Sequence, residues 1–125
     1  MDELFEAARE AAKRSHSPYS DFPVGAAIRT ASGAVHRGAN MENAAYPEGW
    51  CAETSALAHM VMAGETAFTE VAVYAPRMEG CTPCGGCRQR LAEFAAEGAK
   101  VHLCGESGVM RTVAVADLLP AAFDL

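Results

Sequence analysis

Residues 52–63, Ala52-Glu53-Thr54-Ser55-Ala56-Leu57-Ala58-His59-Met60-Val61-Met62-Ala63, are apolar round nearly the whole circumference of a helix. A helix of that kind is predicted to be covered on both sides. It leads to Glu70-Val71-Ala72-Val73-Tyr74-Ala75, a short apolar strand, and, after Pro83, to residues 84–96, where Leu91, Phe94 and Ala95 supply the apolar positions of another helix. Helix, strand and helix in that order predict a crossover unit laid on a mixed sheet.

Working outward, residues 2–14 read as an amphipathic helix. Leu4, Phe5, Ala8 and Ala12 share a stripe, acids occupy the first turn and Lys13-Arg14 the last, an arrangement that suits the helix dipole. Pro18 and Pro23 bound a turn. Val24 to Thr30 and Ala34 to Gly38 are strand-like, and Ala31-Ser32-Gly33 between them suits a hairpin. A loop rich in Asn, Gly and Pro runs from Asn40 to Trp50. Beyond the second crossover helix, Val101 to Cys104 and Val109 to Val115 read as strands, and Ala116 to Leu119 as a short closing helix. The fold class is therefore α/β, with a sheet of about five strands, in one domain over residues 1–125.

Composition excludes several classes of protein. Half of the 125 residues are apolar and 21% are charged, which excludes disorder. No apolar run approaches the ~18 residues that span a bilayer. The acidic start, Met1-Asp2-Glu3-Leu4, lacks the basic and apolar regions of a signal peptide, so a cytoplasmic location is expected. Ten Lys and Arg against 16 Asp and Glu give a net charge of −6. That balance offers no basic surplus for a long nucleic acid. The five cysteines are odd in number, and with no sign of secretion they point to metal binding or chemistry rather than a disulfide framework.

Three of those cysteines fall where helices begin. Cys51 precedes the 52–63 helix, and Cys84 and Cys87 stand three residues apart at the start of the 84–96 helix, on one face of it. Helix starts favour thiolates, and zinc is the natural ion for them. Three ligands leave one tetrahedral position open, as catalytic zinc sites do. Cys81, in Cys81-Thr82-Pro83-Cys84-Gly85-Gly86-Cys87, would close the site as a fourth thiolate and make it structural, the reading of a zinc module that binds a partner and catalyses nothing. Glu53 lies two residues after Cys51, where a carboxylate can take a proton from water and deliver it to a substrate nitrogen. His59 reads as a buried, hydrogen-bonded histidine and Cys104 as a small buried hydrophobe. Trp50 reads as a wall of the site or of an interface.

Cys51-Ala52-Glu53 and Pro83-Cys84-Gly85-Gly86-Cys87-Arg88-Gln89 together resemble the C/H-x-E … P-C-x-x-C signature of the zinc nucleobase deaminases. More narrowly, the chain resembles the small, three-cysteine, homotetrameric cytidine deaminases from end to end. Residues 17–27 (SPYSDFPVGAA), 40–46 (NMENAAY) and Leu118-Leu119-Pro120 with Phe123 look like further motifs of that family. The resemblance implies a three-layer sandwich and hydrolysis of cytidine and deoxycytidine to uridine and deoxyuridine plus ammonia, in pyrimidine salvage. Related enzymes that act on blasticidin S or on N4-substituted cytidines share the signature, so the amino-heterocycle is open at this point.

Roles follow from the same likeness. Cys51, Cys84 and Cys87 would hold Zn²⁺ and Glu53 would shuttle protons. The Ala52 backbone would meet the base edge, Phe22 would stack on the pyrimidine, and Asn40 and Glu42 would hold the ribose hydroxyls. Phe123 would enter a neighbouring subunit's base pocket. One departure stands out: where many members carry an Arg after the catalytic Glu, this chain has Thr54. Three thiolates and Zn²⁺ sum to −1, so another positive group must compensate. Arg88, next to Cys87, is the nearest cationic candidate in the sequence.

Overall fold

The computed structural model describes residues 2–125. In chain order the elements are α1 (Asp2–Ala12), β1 (Gly25–Thr30), β2 (Val35–Ala39), α2 (Ala52–Met62), β3 (Phe68–Tyr74), α3 (Gly85–Phe94), β4 (Ala95–Gly105), β5 (Gly108–Ala114) and α4 (Val115–Leu118). A single 3-10 turn, Tyr46–Glu48, interrupts the long loop after β2. The strands form one five-stranded sheet in the order β2-β1-β3-β4-β5. Only β3 and β4 run parallel, because α3 carries the chain back across the sheet between them; the other pairs are antiparallel.

Alternation along the strands separates two cores. Ala26 and Ile28 of β1, Val71 and Val73 of β3, and Val101 and Leu103 of β4 face α2 and α3, where they pack with Ala56, Leu57, Met60 and Leu91. Ala27, Ala72, Tyr74 and Cys104 point the other way and meet Leu4, Ala8 and Ala12 of α1. Helix, sheet and helix thus form three layers. Two glycines set how closely the outer layers approach. A Cβ on Gly38 of β2 would lie 2.3 Å from the Ala56 nitrogen of α2, and one on Gly25 of β1 would lie 2.0 Å from the Ala8 carbonyl oxygen of α1. Both helix backbones therefore rest directly on strand backbone, and the start of α2 is fixed by this contact.

Several boundaries differ from the sequence reading. α1 ends at Ala12, and the Arg14 amide closes a tighter bond to the Ala11 carbonyl at 2.9 Å. β4 begins at Ala95, directly after α3, where the helical pattern had predicted helix to residue 96 and strand only from 101. Ala95 pairs with Phe68, whereas Lys100 pairs with Glu70, so the intervening residues bulge around Gly98, whose φ is +78°. Sheet pairing here overrides the helix preference of two alanines. α2 also departs from expectation: Ala52, Glu53, Ala56, Leu57 and Met60 are buried, but Ala58, His59, Val61 and Met62 are exposed. His59 thus lies on the open face, its Nδ1 3.4 Å from the Arg37 carbonyl and its ring against His36. Among the described residues no helix is long and apolar enough to cross a membrane.

Candidate active site

Helices α2 and α3 begin side by side, next to the carboxyl end of β3, and their first residues build the site. Cys51 is the N-cap of α2 and Cys84 the N-cap of α3, both in extended backbone and neither using its side chain as a cap. Their sulfurs are therefore turned to each other, 3.6 Å apart. Cys87, one turn into α3 and fully buried, completes the group: the three Sγ atoms all lie within 4.8 Å of one another. A tetrahedral zinc with bonds of about 2.3 Å spaces its sulfur ligands about 3.8 Å apart, so the cluster fits the ion closely. The neighbouring Cys87 holds the Cys51 thiol below its ordinary range, while the contact with Cys51, together with burial, pushes the Cys87 thiol far above it.

Beside the sulfurs is a cavity of about 160 Å³, lined by Val24, Asn40, Cys51, Ala52, Glu53, Val73, Cys81, Thr82 and Cys84. Glu53, in the first turn of α2, is 4% exposed, and burial pushes its carboxyl above the usual range. A carboxyl so placed is suited to carry a proton. Cys81 lines the same cavity but is not one of the three converging sulfurs; burial first, then the nearby Glu53 charge, raises its thiol. Cys104 is buried on the α1 side of the sheet, and desolvation lifts its thiol to about 11.

The substrate-binding candidates occupy two neighbouring places. The Asn40 Oδ1 accepts from the Val24 amide at 2.9 Å and from the Ser15 hydroxyl, while its Nδ2 donates to the Phe22 carbonyl at 2.9 Å. Asn40 therefore pins the segment that carries Phe22 and keeps one N–H for a ligand. Glu42 accepts from the Tyr19 and Ser20 amides at 2.9 and 3.1 Å and from the Ser20 hydroxyl. Those bonds, the hydroxyl first, hold its carboxyl below the usual range. It lines a different cavity, of about 350 Å³, with Tyr19, Ser20, Asn43, Tyr46 and Gly49. Ala52 is fully buried at the start of α2. Phe123 is 73% exposed, its carbonyl accepting from Gln89 Nε2 at 3.3 Å. Trp50 exchanges backbone bonds with Met41 and remains half-exposed.

Arg88 directs its Nε to the Pro83 carbonyl at 2.9 Å and its Nη1 to the Leu118 carbonyl at 3.0 Å. It braces the loop before α3 against α4. Sequence reasoning passed over Arg90, which donates to the Thr54 hydroxyl. Its spacing of three from Cys87, one helical turn on the same face, was the available signal.

Comparison with known proteins agrees with this geometry. A family model described as the cytidine and deoxycytidylate deaminase zinc-binding region matches residues 1–103. The chain is 38% identical over 123 residues to a cytidine deaminase of Sporosarcina psychrophila, covering 98% of this chain and 90% of that one. It is 40% identical over 120 residues to one of Halalkalibacterium halodurans, covering 96% and 91%. The crystal structure of the cytidine deaminase from Burkholderia pseudomallei superposes with a TM-score of 0.92 at 40% identity, covering 98% of each chain. That of the Mycobacterium tuberculosis enzyme gives 0.88 at 32% identity, covering 99% of this chain and 97% of that one. With three thiols converging beside a buried carboxyl at the starts of two helices, and with these likenesses over nearly its whole length, the chain belongs to the zinc-binding cytidine and deoxycytidylate deaminase family.

Proposed function

We propose that the protein hydrolyses cytidine and deoxycytidine to uridine and deoxyuridine with release of ammonia, in pyrimidine salvage in the cytoplasm. The observation that carries this reading is the convergence of the Cys51, Cys84 and Cys87 sulfurs on one another beside a cavity lined by Cys51, Cys84 and the buried Glu53. Cys51, Cys84 and Cys87 would hold zinc, which would supply Lewis acidity and make a bound water more acidic. Glu53 takes one proton from the water that attacks C4 and passes it to the ring nitrogen, then carries the remaining hydroxyl proton to the amine, so that the C4–N bond breaks as the C4 carbonyl forms and ammonia leaves. Its raised affinity for a proton suits both transfers.

The remaining residues position the nucleoside. The amide at Ala52, in the first turn of α2 where backbone N–H groups have no partner within the helix, is available to the base edge. Phe22 stacks on the pyrimidine face. Asn40, with one free N–H, and Glu42, an acceptor through its remaining lone pair, meet the ribose hydroxyls. Arg88, whose guanidinium is held by the Pro83 and Leu118 carbonyls, contributes a general positive potential near the start of α3 without bonding a ligand sulfur. The working form is a homotetramer of one-domain chains, in which Phe123 closes the base pocket of another copy.

The deciding experiment follows the ultraviolet absorbance of cytidine with purified protein, with and without a strong chelator, and identifies the product. Conversion to uridine that is lost on zinc removal and regained on zinc return is expected. Tight zinc binding with no turnover of cytidine or deoxycytidine would sink the assignment.

A further inference from the structure

We propose that Arg90, acting through the Thr54 hydroxyl, is the positive partner of the three-thiolate site and sets how tightly zinc is held there. The inference rests on the reading of Cys51, Cys84 and Cys87 as the zinc ligands. Arg90 Nη1 lies 3.1 Å from Thr54 Oγ1, and Thr54 Oγ1 lies 3.6 Å from Cys87 Sγ. A guanidinium can only donate. The threonine oxygen is therefore the acceptor for Arg90, and its own proton is left for the sulfur. The result is a directed chain, arginine to hydroxyl to sulfur, in which the charge at one end strengthens the bond at the other.

Such a chain acts on the form of sulfur that binds metal. Loading zinc converts three thiols to thiolates and takes the site from neutral to −1. A donor aimed at Cys87 favours the charged form, and a cation behind that donor favours the net charge. Of the three ligands, Cys87 is the one fully removed from water, so solvent does least to stabilise its charge and a protein donor counts most.

The local sequence makes room for the contact. Cys87 and Arg90 are one turn apart on α3, while Thr54 sits in the first turn of α2 across from them. Gly86 precedes Arg90 by four residues, and a Cβ there would already lie 3.4 Å from Arg90 Nη1. The glycine between the two α3 ligands thus leaves the space over which the guanidinium folds back toward Thr54. Arg88 is committed elsewhere, to the Pro83 and Leu118 carbonyls. Among the described residues, Arg90 is the arginine linked by hydrogen bonds to a ligand sulfur.

The test is zinc affinity, measured by competition with a chromophoric chelator on wild type, Arg90→Gln, Thr54→Val, Thr54→Ser and the Arg90→Gln, Thr54→Val double variant. Circular dichroism and thermal unfolding check that each is folded. Groups that support metal ligands are typically worth ~10–100-fold in affinity. Losses in that range are expected for Arg90→Gln and for Thr54→Val, with near-wild-type binding for Thr54→Ser. The double variant should lose no more than Thr54→Val alone, because the arginine acts through the hydroxyl. Wild-type affinity in Arg90→Gln, or multiplying losses in the double variant, would overturn the relay while leaving the zinc site intact. A wild-type chain that binds no zinc would instead refute the ligand assignment on which the relay rests.

Discussion

Glu53 stands in the first turn of α2, two residues after Cys51, with its carboxyl buried in the cavity beside the sulfurs. This makes Glu53→Gln a clean test: the amide keeps the volume but cannot exchange a proton with water. That variant should fold, retain about one zinc per chain and lose at least the ~10²–10⁴ in kcat that one general acid–base group supplies. Metal analysis beside steady-state kinetics checks both halves, and turnover near wild type would remove Glu53 from the reaction. The contrast among cysteines belongs to the same experiment. Cys84→Ala and Cys87→Ala should lose zinc and activity, whereas Cys81→Ala should keep both, because its sulfur lines the cavity without joining the cluster. At this scale much was legible in the chain, because helix starts and a spacing of three are local properties. The Thr54 and Arg90 contact was not, since it depends on how closely α2 and α3 begin in space. Nor did the sequence indicate that Asn40 spends three of its hydrogen bonds on its own loops.

Elements were legible where pattern and pairing agree and illegible where they compete. The β1–β2 hairpin is such an agreement, its turn closed by Gly33 at φ +90° with a 2.9 Å bond to Thr30. The start of β4 is a competition, because Ala95 and Ala96 continue a helical pattern that the partner strand interrupts. A further feature belongs to the sheet as a unit. On its α1 side, Glu3 and Glu70 flank Arg29 at 3.2 and 3.3 Å, Glu70 accepts from His102 at 2.9 Å, and His102 meets Thr112 at 2.8 Å. The row joins β1, β3, β4 and β5, and the His102 bond, followed by the charges of His102 and Arg29, holds the Glu70 carboxyl below the usual range. A carboxyl lowered by folding contributes stability that is complete above its unfolded value and is lost as pH falls through the folded one. Glu70→Gln should therefore melt a few degrees below wild type near pH 7, corresponding to about 1 kcal/mol. The two curves should converge only once the pH has fallen through the lowered value of the folded carboxyl, beneath the ordinary glutamate range, where the wild-type side chain is itself neutral. An unchanged gap between the two melting temperatures at low pH would show that the glutamate acts by packing alone.

At the scale of the whole molecule, one chain leaves several large apolar side chains uncovered. Met62 is 88% exposed, Tyr46 75%, Phe123 73% and Trp50 47%, and the second face of α2 lacks the cover that its composition demands. Apolar surface of this extent marks a place where another protein docks, and a second copy in closed symmetry is the usual occupant. Phe123 sharpens the expectation. Its backbone is tethered by Gln89 while its ring stays in solvent, an arrangement that costs hydration free energy unless a neighbour receives the ring. We expect a homotetramer in which Phe123 of one chain lines the base pocket of another, beside Phe22. Sedimentation should give the mass of four chains, and Phe123→Ala should raise KM more than it lowers kcat, since it removes a binding surface and no reacting group. Mixing provides the decisive measurement. Chains carrying Glu53→Gln lack the proton carrier but keep the aromatic; chains carrying Phe123→Ala keep the carrier and lack the aromatic. At substrate concentrations below KM, hybrids should exceed the mean activity of their parents, because a site with Glu53 then receives Phe123 from its neighbour. A monomer in solution, an unaltered KM in Phe123→Ala, or hybrids no more active than the mean of their parents would place the aromatic on its own chain instead.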